Sequence, residues 1–308
     1  MPEAGLKTII VTAGDSKVMP TLQGLIRSLE AFPERSDVEI GCLDVGQTNA
    51  GRAWLADRGV ILAEPTTHLG VPDSRLKPYE RAFVARPFLR DYFPGRDIYI
   101  WIDSDVWLQG WWVIDAYRQG ALETGMAIAH ERERAYAFQA WLAAWFAKHL
   151  VLGYGPLDGA WLLSRRHLNA GLFAIHKDSP HWALWVRHYQ AAWDRTGQIT
   201  PHDQFSINRV VHGGPLSRPK VKTTILPPRY NWICDRGPPM WNDAEEMLCE
   251  PYPPYRTIGA VHLAGPGKTT SYNTRRTGGG SFEAMLLQGV KPLDQRLPLF
   301  IPCRTPAP

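Results

Sequence analysis

Two carboxylates one residue apart, Asp103 and Asp105, close the apolar run Ile98-Tyr99-Ile100-Trp101-Ile102. Such a run reads as a buried strand of a mostly parallel sheet, and these sheets bind ligands beyond the carboxyl ends of their strands. Carboxylate oxygens placed there suit a hard divalent cation, which can in turn hold a diphosphate. The pair therefore points to an enzyme with a nucleotide-linked substrate. Acidic pairs are common in turns; the strand in front is what gives this one weight.

Three further clusters carry side chains able to do chemistry. Leu168-Asn169-Ala170-Gly171 stands just before an apolar strand, where small residues let backbone approach a ligand and Asn both donates and accepts. Those four residues alone read more readily as a plain turn. Pro201-His202-Asp203-Gln204 has the grammar of a helix start, so Asp203 is either a capping carboxylate or, with Gln204, part of a cleft. Val261-His262 ends a strand, and the Gly265-Pro266-Gly267-Lys268 that follows adds a turn and an ammonium. Imidazole suits a metal and the lysine loop suits a phosphate.

The elements that must position these groups alternate along the first half. Residues 6–11, 38–43 and 60–62 read as strands, and Thr12 and Ala13 open a polar turn after the first. Leu22, Leu25, Ile26 and Leu29 recur at helical spacing, 50–58 is a short helix, and Pro78 starts another that turns Tyr79 and Phe83 inward. This order predicts a doubly wound α/β sheet. Further on, 111–119 reads as a helix and 126–129 and 171–175 as strands. Phe138, Trp141, Leu142, Trp145 and Phe146 form an apolar helical stripe, 153–159 is a loop, and Trp182, Trp185, Tyr189 and Trp193 mark an amphipathic helix. The last third, rich in Pro and Gly, is mostly short strands and loops.

The chain of 308 residues, 44% hydrophobic and 21% charged, has the composition of an ordinary globular protein. Its net charge of +4 is spread without a Lys/Arg block, which does not suggest a nucleic-acid partner. Cys42, Cys234, Cys249 and Cys303 have no zinc spacing and fit a reducing compartment. With no leader-like start and no apolar run long enough to cross a bilayer, the expected location is cytoplasmic. Thirteen tryptophans are many; each reads first as core and only second as a platform for a sugar ring.

In their order along the chain, these residues resemble the retaining glycosyltransferases of family 8. That family includes glycogenin and the bacterial lipopolysaccharide galactosyltransferases and has the GT-A fold. The match runs from about Thr8 to Lys268. It rests on Leu76-Lys77-Pro78, the Asp-x-Asp at 103–105, Asn169-Ala170-Gly171, Asp203-Gln204, Asn231, and His262-x-x-Gly265-x-x-Lys268. The resemblance implies a Rossmann-like, mostly parallel sheet with an irregular C-terminal lobe, in one domain over 1–308. Within it, 5–125 would bind the nucleotide sugar, 126–270 would hold the acceptor and catalytic side, and 271–308 would be a tail.

By the same resemblance, Asp103, Asp105 and His262 would hold Mn²⁺ or Mg²⁺. Lys268 and Gly265 would meet the diphosphate of a UDP-linked sugar, and Lys77, Asp103 and Asn169 would lie near its sugar and ribose. Thr12, Ala13, Ser104 and Ala170 would line the rest of the donor, with Asp203 and Gln204 beside the anomeric carbon. A glycan or small hydroxyl acceptor would complete the reaction. Its wall is best sought in 131–167, where Arg132, Arg134, Arg165 and Arg166 suit an acidic glycan or merely a solvated face. A homodimer would need an exposed apolar patch, which the sequence does not locate. Two other functions stay open: a sugar nucleotidyltransferase, although Thr12–Lys17 lacks its glycine-rich basic loop, and a non-catalytic sugar-binding protein.

Overall fold

β1 (Thr8–Gly14), α1 (Met19–Glu30), β2 (Val38–Asp44), α2 (Asn49–Ala56), β3 (Val60–Ala63), α3 (Pro78–Ala85), α4 (Leu89–Tyr92) and β4 (Ile98–Ile102) make the first half. Then come β5 (Val106–Leu108), α5 (Trp112–Thr124), β6 (Met126–His130), α6 (Ala140–Tyr154), α7 (Pro156–Leu163), β7 (Leu168–His176), α8 (His181–Thr196), α9 (His202–His212) and β8 (Thr224–Leu226). The last part holds β9 (Trp232–Ile233), the hairpin of β10 (Met240–Asn242) and β11 (Met247–Cys249), β12 (Ala260–His262), and the hairpin of β13 (Ser271–Arg275) and β14 (Ser281–Met285). This computed structural model describes residues 5–66, 68–216, 221–268, 271–285 and 301–302. Cys303 and most of the expected tail lie outside them.

The central sheet has seven strands in the order β3-β2-β1-β4-β7-β6-β8. Its first four are parallel, as expected, whereas β7 runs antiparallel to both β4 and β6. Successive strand residues face opposite sides. On one side Ile9, Val11, Tyr99, Trp101, Phe173 and Ile175 pack under α3, α8 and α9. On the other, Ile10, Ile100, Leu172 and Ala174 pack under α1 and α5. Both faces are covered, which explains why the strands read as continuous apolar runs. A smaller core around Trp107, Trp232, Leu248 and Val261 joins β5, β9 and β12 beyond the carboxyl end of β4.

Several local expectations are corrected. Thr12 and Ala13 belong to β1, which continues to Gly14. Tyr79 is turned outward and exposed, while Phe83 alone packs inward; Pro78 sets the first turn so that 79 falls on the solvent side. The expected loop over 153–159 is a one-residue break at Gly155 (φ +85°), so α6 and α7 form a helical hairpin. The residue after the break is a proline that starts α7 without an amide to satisfy. The apolar stripe is also split. Trp145 and Phe146 pack inward on Phe205, and Trp141 and Phe138 face solvent.

Two buried histidines set an acid limit. His181 and His202 are fully buried, and burial lowers each from the usual value to about 4. Unfolded chains protonate near 6.5, so the stability these neutral rings contribute is present above that pH and lost between about 6.5 and 4. His202, whose ring nitrogens lack partners among the described residues, is the cleaner probe. The expected result is that His202→Phe reduces the loss of denaturation free energy between pH 7.5 and 5 by about 1–2 kcal/mol. Equal losses in variant and parent would show that the ring already accepts a proton in the fold.

Candidate functional site

β4 delivers Asp103 to the sheet's carboxyl edge, and the antiparallel pairing of β5 with β12 sets Val106 opposite His262. Asp105, just before β5, and His262, at the end of β12, therefore meet across one strand pair. One ligand atom from each of Asp103, Asp105 and His262 lies within 4.8 Å of the others. His262 Nε2 is 3.6 Å from Asp105 Oδ1, and Lys268 Nζ is 3.1 Å from Asp105 Oδ2. Burial pushes the Asp105 carboxyl up, but His262 and Lys268 outweigh it and hold the group below the usual carboxylate range. Gly265 (φ +64°) opens the single helical turn that brings Lys268 back.

A chain of amides aims the imidazole. The Gly171 amide donates to Asn169 Oδ1 (2.8 Å), which fixes which end of that carboxamide is oxygen. Asn231 Nδ2 donates to the same oxygen (2.9 Å), leaving Asn231 Oδ1 to accept from His262 Nδ1 (3.0 Å). His262 thus donates from Nδ1 to Asn231 and turns Nε2 toward the carboxylates, the orientation a metal-binding histidine needs. Two oxygen donors and one such nitrogen fit Mn²⁺ well and Mg²⁺ less well.

Gly171 lies directly under this cluster. A Cβ there would fall 2.5 Å from His262 Cε1, 2.7 Å from Asn169 Oδ1 and 3.1 Å from Asp103 Oδ2. Gly171→Ala is therefore expected to displace the imidazole and to weaken divalent-cation binding about tenfold or more, an effect on the scale of disturbing groups around a ligand set. Titration calorimetry with Mn²⁺ measures this; unchanged affinity would remove His262 from the ligand set.

Behind the cluster sits a residue that sequence reasoning missed. Arg86 follows α3, is 3% exposed, pairs with Asp103 and donates to Asp203 Oδ2 at 2.9 Å. Its guanidinium lies over the rings of Phe83 (4.3 Å) and Trp101 (4.7 Å). Two carboxylates and two aromatic faces supply what a buried cation loses on leaving water. Trp101 Nε1 also donates to Asp103 Oδ1 at 2.7 Å. Burial pushes the Asp203 carboxyl up to about 6, against the opposing pull of Arg86. The only local signal was position: Arg86 stands four residues after Ala82 and three before Leu89, both buried.

Gln204 stands beside this pair with both ends engaged. Its Oε1 accepts from the Ala170 amide (2.9 Å), and its Nε2 meets His167 Nε2 (2.8 Å). Burial lowers His167 to about 4, so a neutral ring accepts this hydrogen bond. Glu131, which opens the segment 131–167 expected to wall the acceptor, is buried, accepts from Asn169 Nδ2 (2.6 Å) and pairs with Arg236 (2.7 Å). It forms one end of a cavity of about 270 Å³ lined also by Phe138, Gln139, Phe146 and Arg236.

The other expected site residues are placed less centrally. Thr12 and Ala13 sit at the carboxyl end of β1, where the register of Val11 with Trp101 brings them level with Ile102 and Asp103. Ser104 is half-buried in the turn between the two aspartates. Lys77 is exposed before α3, and its Nζ lies 5.8 Å from the centre of the Tyr79 ring, so the geometry does not join it to the carboxylate cluster.

The arrangement is shared at the level of fold. No protein-family model matches the sequence, and no curated protein matches it. Two solved structures of the galactosyltransferase LgtC superimpose on it with a TM-score of 0.50. One is an active-site mutant, 16% identical; the other, 17% identical, is a complex with donor and acceptor sugar analogs. In each case 84% of this chain and 88% of the other is covered. The chain thus has the mixed α/β fold of the GT-A glycosyltransferases.

Proposed function

We propose that this protein is a glycosyltransferase that moves a hexose from a nucleotide sugar, UDP-linked in the first instance, to a hydroxyl acceptor with retention at the anomeric carbon. The observation that carries this reading is the convergence of Asp103, Asp105, His262 and Lys268 at the carboxyl edge of the sheet. Asp103, Asp105 and His262 would hold Mn²⁺ or Mg²⁺, which when bound offsets the charge of the departing nucleoside diphosphate. Lys268 adds an ammonium to the same phosphates. Arg86 keeps Asp203 and Asp103 fixed beneath the donor, so that carboxylate oxygens face the positive charge that develops on the sugar ring. Gln204, tied to Ala170 and His167, presents a rigid amide between that face and the Glu131 cavity, where the acceptor hydroxyl would enter. LgtC, which has this fold, was solved in complex with donor and acceptor sugar analogs, which supports a two-substrate transfer in general.

A thermal-shift panel of nucleoside diphosphates and nucleotide sugars, each with Mn²⁺ or a chelator, tests the reading. A ligand at a hundred times its Kd adds about 2.7 kcal/mol to the folded state. A shift with UDP or a UDP-sugar that vanishes on chelation is the expected result. No shift with any nucleotide would return the sugar-binding alternative, while pyrophosphate release from UTP and a sugar phosphate would return the nucleotidyltransferase. Lys268→Ala is expected to weaken UDP binding about tenfold, since a charge-assisted contact of about 1.5 kcal/mol is lost. Free sugar binding should not change. Equal UDP affinity in the variant would put the phosphates elsewhere.

A further inference from the structure

The outer face of the α6–α7 hairpin is apolar and uncovered among the described residues, which nothing in the proposed reaction requires. α6 is apolar except at Lys148 and His149, yet only Leu150 and Gly153 are buried in it. Helices of that composition normally lie inside a protein. Trp141 (67% exposed), Val151 and Leu152 share its outer face, Leu157 (62%) and Leu163 continue the surface on α7, and Leu216 (91%) stands beside Leu157. Of the eleven large apolar side chains exposed among the described residues, seven fall on this hairpin and its borders. Exposed apolar side chains gathered on one hairpin in this way mark an interaction site.

Along this stretch of chain the charge is mostly positive, with Glu133 lining a cleft beside Arg166. Between Glu133 and Asp178 the chain has a single acidic residue, Asp158, and Arg209 takes its carboxylate at 3.0 Å. Lys148, Arg165 and Arg166 are exposed.

We propose that this hairpin docks flat on a bilayer surface bearing anionic headgroups. Trp141 and the leucines enter the boundary between headgroups and acyl chains, and Lys148, Arg165 and Arg166 reach the lipid phosphates. Aromatic and aliphatic side chains rimmed by long cations are the chemistry of an interfacial anchor. Crossing the bilayer is not involved, since no helix among the described residues is long and apolar enough. Charge also selects lipid over a second copy of the chain. A two-fold dimer sets a patch against itself, which would bring Lys148 and Arg165 of each copy together. The docked hairpin borders the site, because Phe146 on its inner face packs on His167 and Phe205.

Co-sedimentation with phosphatidylcholine vesicles, with or without phosphatidylglycerol, tests the proposal. It uses neither nucleotide, metal nor acceptor, so its outcome is independent of the transferase reading. The full chain is expected to pellet with the anionic vesicles and weakly or not at all with the neutral ones. Lys148→Gln combined with Arg166→Gln should lower the partition coefficient about fivefold per charge removed. Trp141→Ser with Leu157→Ser should abolish pelleting while circular dichroism and melting temperature match the parent. Failure of the parent to pellet with either vesicle, or equal pelleting of the folded serine variant, overturns the proposal. A parent dimer that the serine variant turns into a monomer, without vesicle binding, also overturns it and makes a second copy the occupant.

Discussion

Asp105→Asn is expected to lower kcat/KM for sugar transfer on the order of 10³-fold and to make nucleotide binding indifferent to Mn²⁺. The substitution keeps the shape of the side chain and removes its charge. That charge faces His262 Nε2 at 3.6 Å and Lys268 Nζ at 3.1 Å in a position only 8% exposed. Without it, a divalent cation would approach an ammonium and an imidazole with one carboxylate fewer to offset them. The lowered pKa of Asp105 carries a linked expectation. A carboxylate held below its unfolded value contributes stability at neutral pH that disappears on acidification below about 3.9. The asparagine variant should lack that component of acid unfolding. A variant that still turns over with full metal dependence would remove Asp105 from the ligand set.

Arg86→Met should be the most damaging single change to the fold at alkaline pH. It keeps the apolar stem between Phe83 and Trp101 and deletes the cation shared by Asp103 and Asp203. Breaking a buried pair by removing one partner costs about 3–5 kcal/mol, because a buried charge is left uncompensated. Asp203 is the charge in question: 4% exposed, it already titrates near 6 with the arginine present. Without Arg86 its folded pKa rises further above the unfolded value of about 3.9. A raised carboxyl favours the fold when protonated, and that contribution is lost as pH rises through the folded pKa. The deficit of the variant relative to the parent should therefore be small at pH 5.5 and approach the full value at pH 8. Chemical denaturation of both proteins at the two pH values measures it, and comparing variant with parent cancels the opposite trend of the buried histidines. A deficit that is the same at both values would mean that Asp203 is not the group left unpaired. Transfer activity should fall as well, since Asp103 loses the partner that holds it.

Much of this molecule could be read from local pattern. Strands buried on both faces announce themselves as apolar runs, and the first four take the expected parallel order. Asp103 and Asp105 were legible because a strand must end before polar groups can face a ligand. His262 and Lys268 were legible because a strand end and a glycine turn bracket them. Arg86 was not, because a buried guanidinium is recognised by its partners, and those lie 17 and 117 residues away. The partner of Glu131 was hidden for the same reason, since Arg236 is 105 residues distant. The α6–α7 hairpin misled in the opposite direction: an apolar stripe is evidence of burial only where another surface covers it, and among the described residues Phe138 and Trp141 have no such cover.

The sequence by itself determined the layered α/β architecture and the chemical character of the site, since periodicity and side-chain type are properties of short segments. Only the tertiary structure decided which polar groups share a site, which end of each carboxamide faces His262, and which apolar surface is left to solvent. Those outcomes depend on distances between segments remote in sequence, and no local pattern encodes a distance.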